Sequence, residues 1–270
     1  AALEALGSTG APDPDAEVES RKREALVQLA LHAMPFESHK ALWATLDVGY
    51  FMRHDAGDIA WHTRQLSRHI DQRKPGEPRT AIVRARLSPV GEGMQVLVYT
   101  PDQPDLFARI CGYFDQAGFS ILDAKIHTAS DGYALDTFQV TSPSLEDHYR
   151  EGTAMVEADL NRTLEKRGPL PAPGKGRVSR RVKSCPVIPR VDLRPDEKAQ
   201  RWLLSVSASD RVGLLYLIAR VLAHHHINVK LAKVTTLGER VEDSFLIDGP
   251  ELQHNKAQIA IETELLQALS

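Results

Sequence analysis

The stretch SASDRVGLLYLIARVLAHHHINVKLAKVTTL, residues 207–237, occurs twice in this chain in recognisable form. Shifted by 108 positions, it lies over YTPDQPDLFARICGYFDQAGFSILDAKIHTA, residues 99–129. The aligned pairs include Asp102 with Asp210, Leu106 with Leu214, Ile110 with Ile218, Lys125 with Lys233 and Thr128 with Thr236. Such self-similarity at a fixed spacing indicates that one structural unit is present in two copies.

Each copy has the same order of predicted elements. An alternating strand, MQVLVYT or WLLSVSA, ends at the shared aspartate and precedes a helix. In the first copy Leu106, Ile110 and Phe114 form the i, i+4, i+8 apolar stripe of that helix. A strand, a hairpin and a returning strand follow, and after one deletion Asp136 aligns with Asp243. A second helix closes the unit, which predicts a ferredoxin-like fold that still needs a fourth strand.

The missing strand is predicted on the N-terminal side of each copy. The segments AIVRARLSP, residues 81–89, and VIPRVDLRP, residues 187–195, keep the shift of 108, whereas no residues follow the second helix of the second copy. We expect each segment to pair antiparallel with the strand that follows it. The predicted fold class is α+β, with two ferredoxin-like domains, each an antiparallel four-stranded sheet with two helices, preceded by a short all-α segment.

The remaining organisation follows from composition and from apolar spacing. In residues 17–75 one helical face is predicted from Leu26, Leu29, Ala30 and Ala33, and another from Ile59, Leu66 and Ile70. The absence of an initial Met suggests a fragment. The predicted divisions are 1–16 as linker or disordered, 17–75 as a helical segment, 78–167 and 185–270 as the two repeat domains, and 168–184 as an exposed linker.

Bulk composition excludes several classes of protein. With 42% hydrophobic and 26% charged residues and a net charge of −3, nothing favours nucleic acid or an anionic membrane as partner. Two cysteines give no disulfide framework, and no apolar run is long enough for a membrane span. We therefore expect a cytoplasmic globular protein.

The combination Asp-x-x-Gly-Leu-Leu, an apolar helix, Ile-Asn-Val-x-x-Ala-Lys-Val-x-Thr and Glu-Asp-x-Phe resembles the ACT domain, a small module that binds amino acids. Two such domains after YFMRHDAGDIAWHTRQL, residues 50–66, resemble the C-terminal end of the bacterial bifunctional uridylyltransferase/uridylyl-removing family, which modifies the signalling protein PII. The resemblance implies a glutamine-sensing regulatory region without cofactor or catalytic residues of its own, and Mg or Mn in the parent enzyme. It also implies pairing of ACT domains, within one chain or between chains.

The loop between the first strand and first helix of the second copy is the predicted ligand site. Backbone N–H groups at a helix N-terminus can receive the carboxylate of an amino acid, and Gly213 allows close approach because it lacks Cβ. Asn228 offers both donor and acceptor. An ordinary turn glycine remains the alternative for Gly213. The predicted binding residues are Asp210, Arg211, Gly213, Leu214, Asn228 and Val229.

The first copy departs from this pattern, with Asp105 in place of Gly213 and Ser120 in place of Asn228. A carboxylate at that helix end would repel the carboxylate of a ligand. We therefore expect the first copy to be the weaker site or to serve only in pairing. Its candidate residues are Asp102, Asp105, Leu106, Ser120 and Ile121.

Two motifs resemble metal sites, and neither is predicted to bind metal. His54-Asp55 matches the HD doublet but lacks the further ligands that such a site needs, so Asp55 is predicted to cap the next helix. His224, His225 and His226 are consecutive and cannot all face one ion from a helix. They are predicted to end the helix, with His226 at the left-handed position that Gly118 occupies in the first copy.

Two other functions stay open on the residues alone. A stand-alone ACT protein could act as an amino acid-responsive interaction or transcription regulator, although no helix-turn-helix or basic face is evident. A small HD-type metal hydrolase is disfavoured because too few ligands are present.

Overall fold

The computed structural model describes residues 13–145, 148–174, 187–196 and 201–270. The chain divides into two compact units, Ala1–Pro78 with Ala129–Asp131, and Arg79–Thr128 with Gly132–Ser270. The first unit is helical, and the second contains both copies of the repeat. Among the described residues, no helix combines the length and the apolar character needed to cross a membrane.

The helical unit contains α1 (Pro14–Leu31), α2 (Lys40–Trp43), α3 (Val48–Arg53) and α4 (Ala56–Gln72). Helix α1 begins inside the segment that we predicted as linker, because Asp13 accepts a hydrogen bond from the Asp15 N–H and proline suits the first helical position. Residues 1–12 lie outside the described residues.

The buried faces of this unit agree only partly with the apolar spacing. Ile59 and Leu66 on α4 are fully buried, as predicted. The face predicted for α1 was right for Leu29 and wrong for Leu26, which is exposed; the other buried side chains are Val18 and Ala25. The prediction for Asp55 is confirmed, since its side chain caps α4 and accepts a hydrogen bond from the Asp58 N–H at 2.7 Å.

The two repeats confirm the predicted α+β fold class. The first contains β1 (Ile82–Leu87), β2 (Met94–Pro101), α5 (Leu106–Gln116), β3 (Ser120–Lys125), β4 (Tyr133–Thr141) and α6 (Tyr149–Lys166). The second contains β5 (Arg190–Asp196), β6 (Arg201–Ser209), α7 (Leu214–His224), β7 (Asn228–Lys233), β8 (Thr236–Leu237), β9 (Arg240–Asp248), a short 3-10 helix (Pro250–Gln253) and α8 (Asn255–Leu269). The sheet orders are β1-β2-β4-β3 and β5-β6-β9-β7, with β8 added beside β9.

The borrowed edge strands are confirmed. Strand β1 pairs antiparallel with β2, placing Val83 opposite Val98, and β5 pairs antiparallel with β6, placing Val191 opposite Val206. The second sheet differs from the predicted four strands because the hairpin carries the short additional strand β8. Each repeat therefore completes its sheet with residues that precede it in the chain.

The two repeats pack side by side within the second unit. Helix α5 packs against α7, and the edge strand β3 lies beside the edge strand β7. Gly112 of α5 faces Tyr216 of α7, and the rings of Phe107 and Phe245 lie 6.2 Å apart between the repeats. The buried apolar side chains of both repeats form one continuous cluster. This arrangement brings the loop before each first helix toward the other repeat.

Candidate functional site

A cavity of about 100 Å³ lies where the β6–α7 loop of the second repeat faces the first repeat. Its wall from the first repeat is the C-terminal part of α5 and the start of β3; its wall from the second is the β6–α7 loop and parts of β8 and β9. The lining residues used below are Asp115, Ser120, Ile121, Leu122, Asp210, Arg211, Gly213, Leu214 and Asp243. This volume is larger than a single water molecule needs, so the cavity has room for polar groups of a small ligand.

Gly213 stands at the N-terminus of α7 in the left-handed conformation, with φ of 82°. This conformation favours glycine, and a Cβ at this position would come within 2.5 Å of Oδ1 of Asp115, so that this side chain would have to shift. The backbone N–H groups in the first turn of a helix have no partner inside the helix. This end of α7 therefore presents N–H donors and the positive end of the helix dipole at the cavity.

Two aspartates of the second repeat share the cavity. Asp243 is 2% exposed, and its Oδ1 accepts a hydrogen bond from the Thr235 N–H at 3.2 Å. Burial raises the pKa of Asp243 to about 7, and the nearby Asp210 adds to the shift. Burial also raises the pKa of Asp210. Two carboxyl groups that are costly to ionise together favour a cationic group between them.

Arg211 lines the cavity but its guanidinium is held elsewhere. One terminal nitrogen donates to the backbone carbonyl of Ala268 near the end of α8. Its Nε is buried and has no hydrogen-bond partner among the described residues. Arg211 therefore links the β6–α7 loop to α8, and the positive character inside the cavity comes mainly from the helix end.

Asn228 and Val229 do not line this cavity. They lie on β7, opposite Asp248 and Ile247 of β9. The structure instead brings Ser120 and Ile121 of the first repeat to the loop of the second. From the sequence we placed these residues in two separate sites, one in each repeat. In the structure, residues from both repeats line the same cavity.

The equivalent position on the other side of the repeat pair contains Asp102 and Lys230. Nζ of Lys230 lies 3.8 Å from a carboxylate oxygen of Asp102 and 3.8 Å from one of Asp248. Burial raises the pKa of Asp102, although the charge of Lys230 opposes this shift. Under the shift of 108, Lys230 aligns with Leu122, which lines the cavity on the first side. The loop aspartate of the first repeat, Asp102, thus has the ammonium of Lys230 beside it, whereas Leu122 is the corresponding residue near Asp210 of the second repeat.

Asp105 and Leu106 begin α5. Asp105 is at the N-cap position and forms an ion pair with Arg109 on the same helix. It lines a separate groove beside the C-terminal half of α7, and Leu106 is buried. Neither residue reaches the cavity that contains Gly213.

Sequence reasoning missed Asp243, Leu122 and Lys230 as candidate site residues. The alignment of Asp136 with Asp243 already marked a repeated aspartate in the middle of an apolar strand, which is the signal that could have found it. The difference between Leu122 and Lys230 becomes meaningful only once the two repeats are seen to face each other.

The three histidines separate into two groups. Helix α7 ends at His224, and His226 has φ of 53° where Gly118 has 78°, which confirms the predicted left-handed end. His224 and His225 instead turn their rings toward Glu264 of α8, with Nδ1 of His224 at 3.2 Å and Nε2 of His225 at 2.6 Å from its carboxylate. Helical spacing did not predict this convergence because the third member comes from another helix.

Comparison with known proteins gives one family match and several close relatives. Residues 13–65 match the family described as uridylyltransferase GlnD fifth domain. Over 96% of the chain, the sequence is 57% identical to the bifunctional uridylyltransferase/uridylyl-removing enzyme of Ralstonia nicotianae, of which it covers 30%. Over its full length it is 53% identical to the enzyme of the same name from Burkholderia thailandensis, of which it covers 31%.

The chain spans about 30% of the length of the curated relatives that it matches. The match runs without a large gap from the helical unit through both repeats, because 270 residues align with the Burkholderia thailandensis enzyme. Over its whole length the chain is therefore similar to a part of the bifunctional uridylyltransferase/uridylyl-removing enzymes, and residues 13–65 match the model of the fifth domain of that family.

Proposed function

We propose that this chain is the amino acid-sensing regulatory region of such an enzyme and that its repeats are tandem ACT domains that bind glutamine. The proposal depends most on one observation. The cavity between the repeats combines the N-terminus of α7 with the partly and fully buried carboxyl groups of Asp210 and Asp243. These are the two kinds of group that recognise the carboxylate and the ammonium of a free amino acid.

In the proposed complex the ligand carboxylate accepts hydrogen bonds from the first-turn N–H groups of α7, close to Gly213. The ligand ammonium lies between Asp210 and Asp243, where its charge offsets the cost of ionising two neighbouring carboxyl groups. Ser120 of the first repeat supplies a hydroxyl that can donate or accept toward the side-chain amide of glutamine. Asn228 and Val229 support the site from outside the cavity, and Arg211 lines the cavity while its guanidinium is held by the carbonyl of Ala268.

The arrangement supports one strong site per chain. On the second side of the repeat pair, the Lys230 ammonium already lies close to Asp102 and Asp248. It takes the place that a ligand ammonium would need beside Asp102. This explains in physical terms why the first-repeat loop of Asp102, Asp105 and Leu106 is the weaker candidate.

A ligand held by both repeats favours the arrangement in which both walls of the cavity are in place. Such differential binding can shift a two-state equilibrium by roughly 1–3 kcal/mol. We propose that glutamine thereby biases the parent enzyme from uridylylating PII toward removing UMP, in the cytoplasm. The chain itself carries no catalytic step in this proposal, and purified residues 1–270 are expected neither to transfer nor to hydrolyse UMP.

Calorimetry with glutamine tests the proposed site. Asp243→Asn keeps an oxygen for the Thr235 N–H but removes the charge, and we expect a loss of affinity of about 10-fold or more. Asp136→Asn is the matched control, because Asp136 of the first repeat accepts the His127 N–H in the same way and lies outside the cavity. Equal effects of the two substitutions, or no binding of glutamine by the unmodified chain, would overturn the proposal.

A further inference from the structure

A cluster of two histidines and a glutamate lies at the C-terminal end of α7, beyond the proposed amino acid site. One ligand atom each from His224, His225 and Glu264 lies within 4.8 Å of the others. The histidines end α7, whereas Glu264 projects from α8. The three side chains thus join two elements of the second repeat at one point.

His225 has a glutamate carboxylate at each of its two ring nitrogens. Its Nδ1 lies 3.3 Å from Oε2 of Glu251, and its Nε2 lies 2.6 Å from Oε2 of Glu264. A neutral imidazole has one N–H and one lone pair. With Nδ1–H donating to Glu251, the lone pair of Nε2 faces the carboxylate of Glu264 and is available to a metal ion, whereas the other tautomer donates Nε2–H to Glu264.

We propose that His224, His225 and Glu264 form a binding site for a divalent transition-metal ion of the zinc class. Two imidazole nitrogens and one carboxylate oxygen make a ligand set that zinc accepts, with water in the fourth position. Glu251 behind His225 completes the carboxylate–histidine–metal arrangement that fixes the ring and increases its basicity.

The geometry needs only a small adjustment. Tetrahedral zinc with bonds of about 2.0–2.2 Å sets nitrogen and oxygen ligands roughly 3.4 Å apart. Nδ1 of His224 is already 3.2 Å from Glu264, and the His225 side chain, 15% exposed, is held in place by packing and by Glu251. The His224 side chain is 73% exposed and can rotate to close the site. A bound ion would tie the end of α7 to α8.

Titration of the chelator-treated 270-residue chain with Zn²⁺ tests this site by calorimetry. We expect one ion per chain. His224→Gln and Glu264→Gln each remove a ligand and should lower the affinity about 10-fold or more. Glu251→Gln removes the carboxylate behind His225 and should lower it about 10-fold. His224 is so exposed that its replacement leaves folding intact. His226→Gln is the control, because His226 follows His224 and His225 in the sequence but is not part of the cluster. The Zn²⁺ affinity of this variant should equal that of the unmodified chain.

Three results would overturn the metal site. The first is the absence of saturable binding, which would show that a proton alone bridges His225 and Glu264. The second is Zn²⁺ binding that His224→Gln and Glu264→Gln leave unchanged. The third is an equal loss in His226→Gln, which would mean that the histidine-rich surface binds zinc nonspecifically. Glutamine binding does not enter any of these readouts.

Discussion

At the scale of single residues, the chemistry of the cavity centres on Asp243. This aspartate is almost completely buried beside a second carboxyl group, an arrangement that would cost stability without a compensating function. Its counterpart Asp136 is equally buried, so the position serves the fold in both repeats. Of these two described aspartates, Asp243 lines the cavity that also contains a helix N-terminus, which is why we propose it for ligand binding.

Asp243→Asn should stabilise the chain at alkaline pH. Burial raises the pKa of Asp243 from 3.8 to about 7, so between these values the folded state holds a proton that the unfolded state has lost. The contribution of Asp243 to the free energy of unfolding is therefore fully present below pH 3.8 and is lost as the pH rises through about 7. Urea unfolding should show the variant to be more stable by roughly 2–4 kcal/mol at pH 8 and little different at pH 4. A pH-independent difference would contradict the assignment.

Glutamine binding should release protons at neutral pH. A ligand ammonium beside Asp243 favours its ionised form, so binding lowers a pKa that is about 7 in the free protein. We expect the affinity to rise by up to about 10-fold between pH 6 and pH 8. Calorimetry in buffers of different ionisation enthalpy would measure the released proton, and in Asp243→Asn the release should vanish. Proton release that persists in the variant would place the titrating group elsewhere.

At the scale of secondary-structure elements, the fold was predictable and the composition of the site was not. The strand and helix order followed from period-2 and i, i+4 patterns that occur twice, and the edge strands β1 and β5 followed from the same shift. The sequence does not show which loop faces which strand. Asn228 aligned with Ser120 as its equivalent, yet Ser120 meets the Gly213 loop because the repeats face each other in opposite directions.

The facing edges β3 and β7 predict the outcome of a reciprocal exchange. Leu122→Lys would place an ammonium near Asp210 where the ligand ammonium should lie, and we expect glutamine affinity to fall by about 10-fold or more. Lys230→Leu is the matched change beside Asp102, and it should leave the glutamine affinity of the cavity at Gly213 unchanged. Calorimetry of both variants checks the pair, and equal losses would show that Leu122 acts only through the packing of the strand.

The end of α7 offers a test of backbone conformation. His226 has a positive φ of 53°, a conformation that costs a non-glycine residue about 1 kcal/mol. His226→Gly should therefore raise the free energy of unfolding by roughly 0.5–1 kcal/mol. Gly118→His is the reverse change in the first repeat, where a Cβ meets nothing within 4 Å, so its expected loss is conformational alone. Opposite signs in urea unfolding are expected, and matching signs would refute the conformational explanation.

At the scale of the whole molecule, the proposed sensor depends on the contact between two repeats of one chain. Each repeat has a complete sheet, but the buried cluster is shared and the cavity has walls from both. Residues 168–174 reinforce this contact, since the carbonyl of Pro171 accepts the Tyr216 hydroxyl and the Gly174 N–H donates to Asp115. A substitution that shifts α5 relative to α7 should therefore change ligand affinity even when the substituted residue does not line the cavity.

Gly112→Ala provides such a change. A Cβ at Gly112 would lie 2.9 Å from the Tyr216 ring, so α5 and α7 must separate slightly and the first turn of α7 must move with Tyr216. We expect several-fold weaker glutamine binding, because hydrogen bonds at a helix N-terminus depend on position to within a few tenths of an ångström. Gly152→Ala is the matched control, with its Cβ 2.9 Å from Leu145 on the far side of the first repeat. Both variants should lose stability, but only Gly112→Ala should lose affinity; equal affinities would mean that the repeats bind ligand independently of their packing.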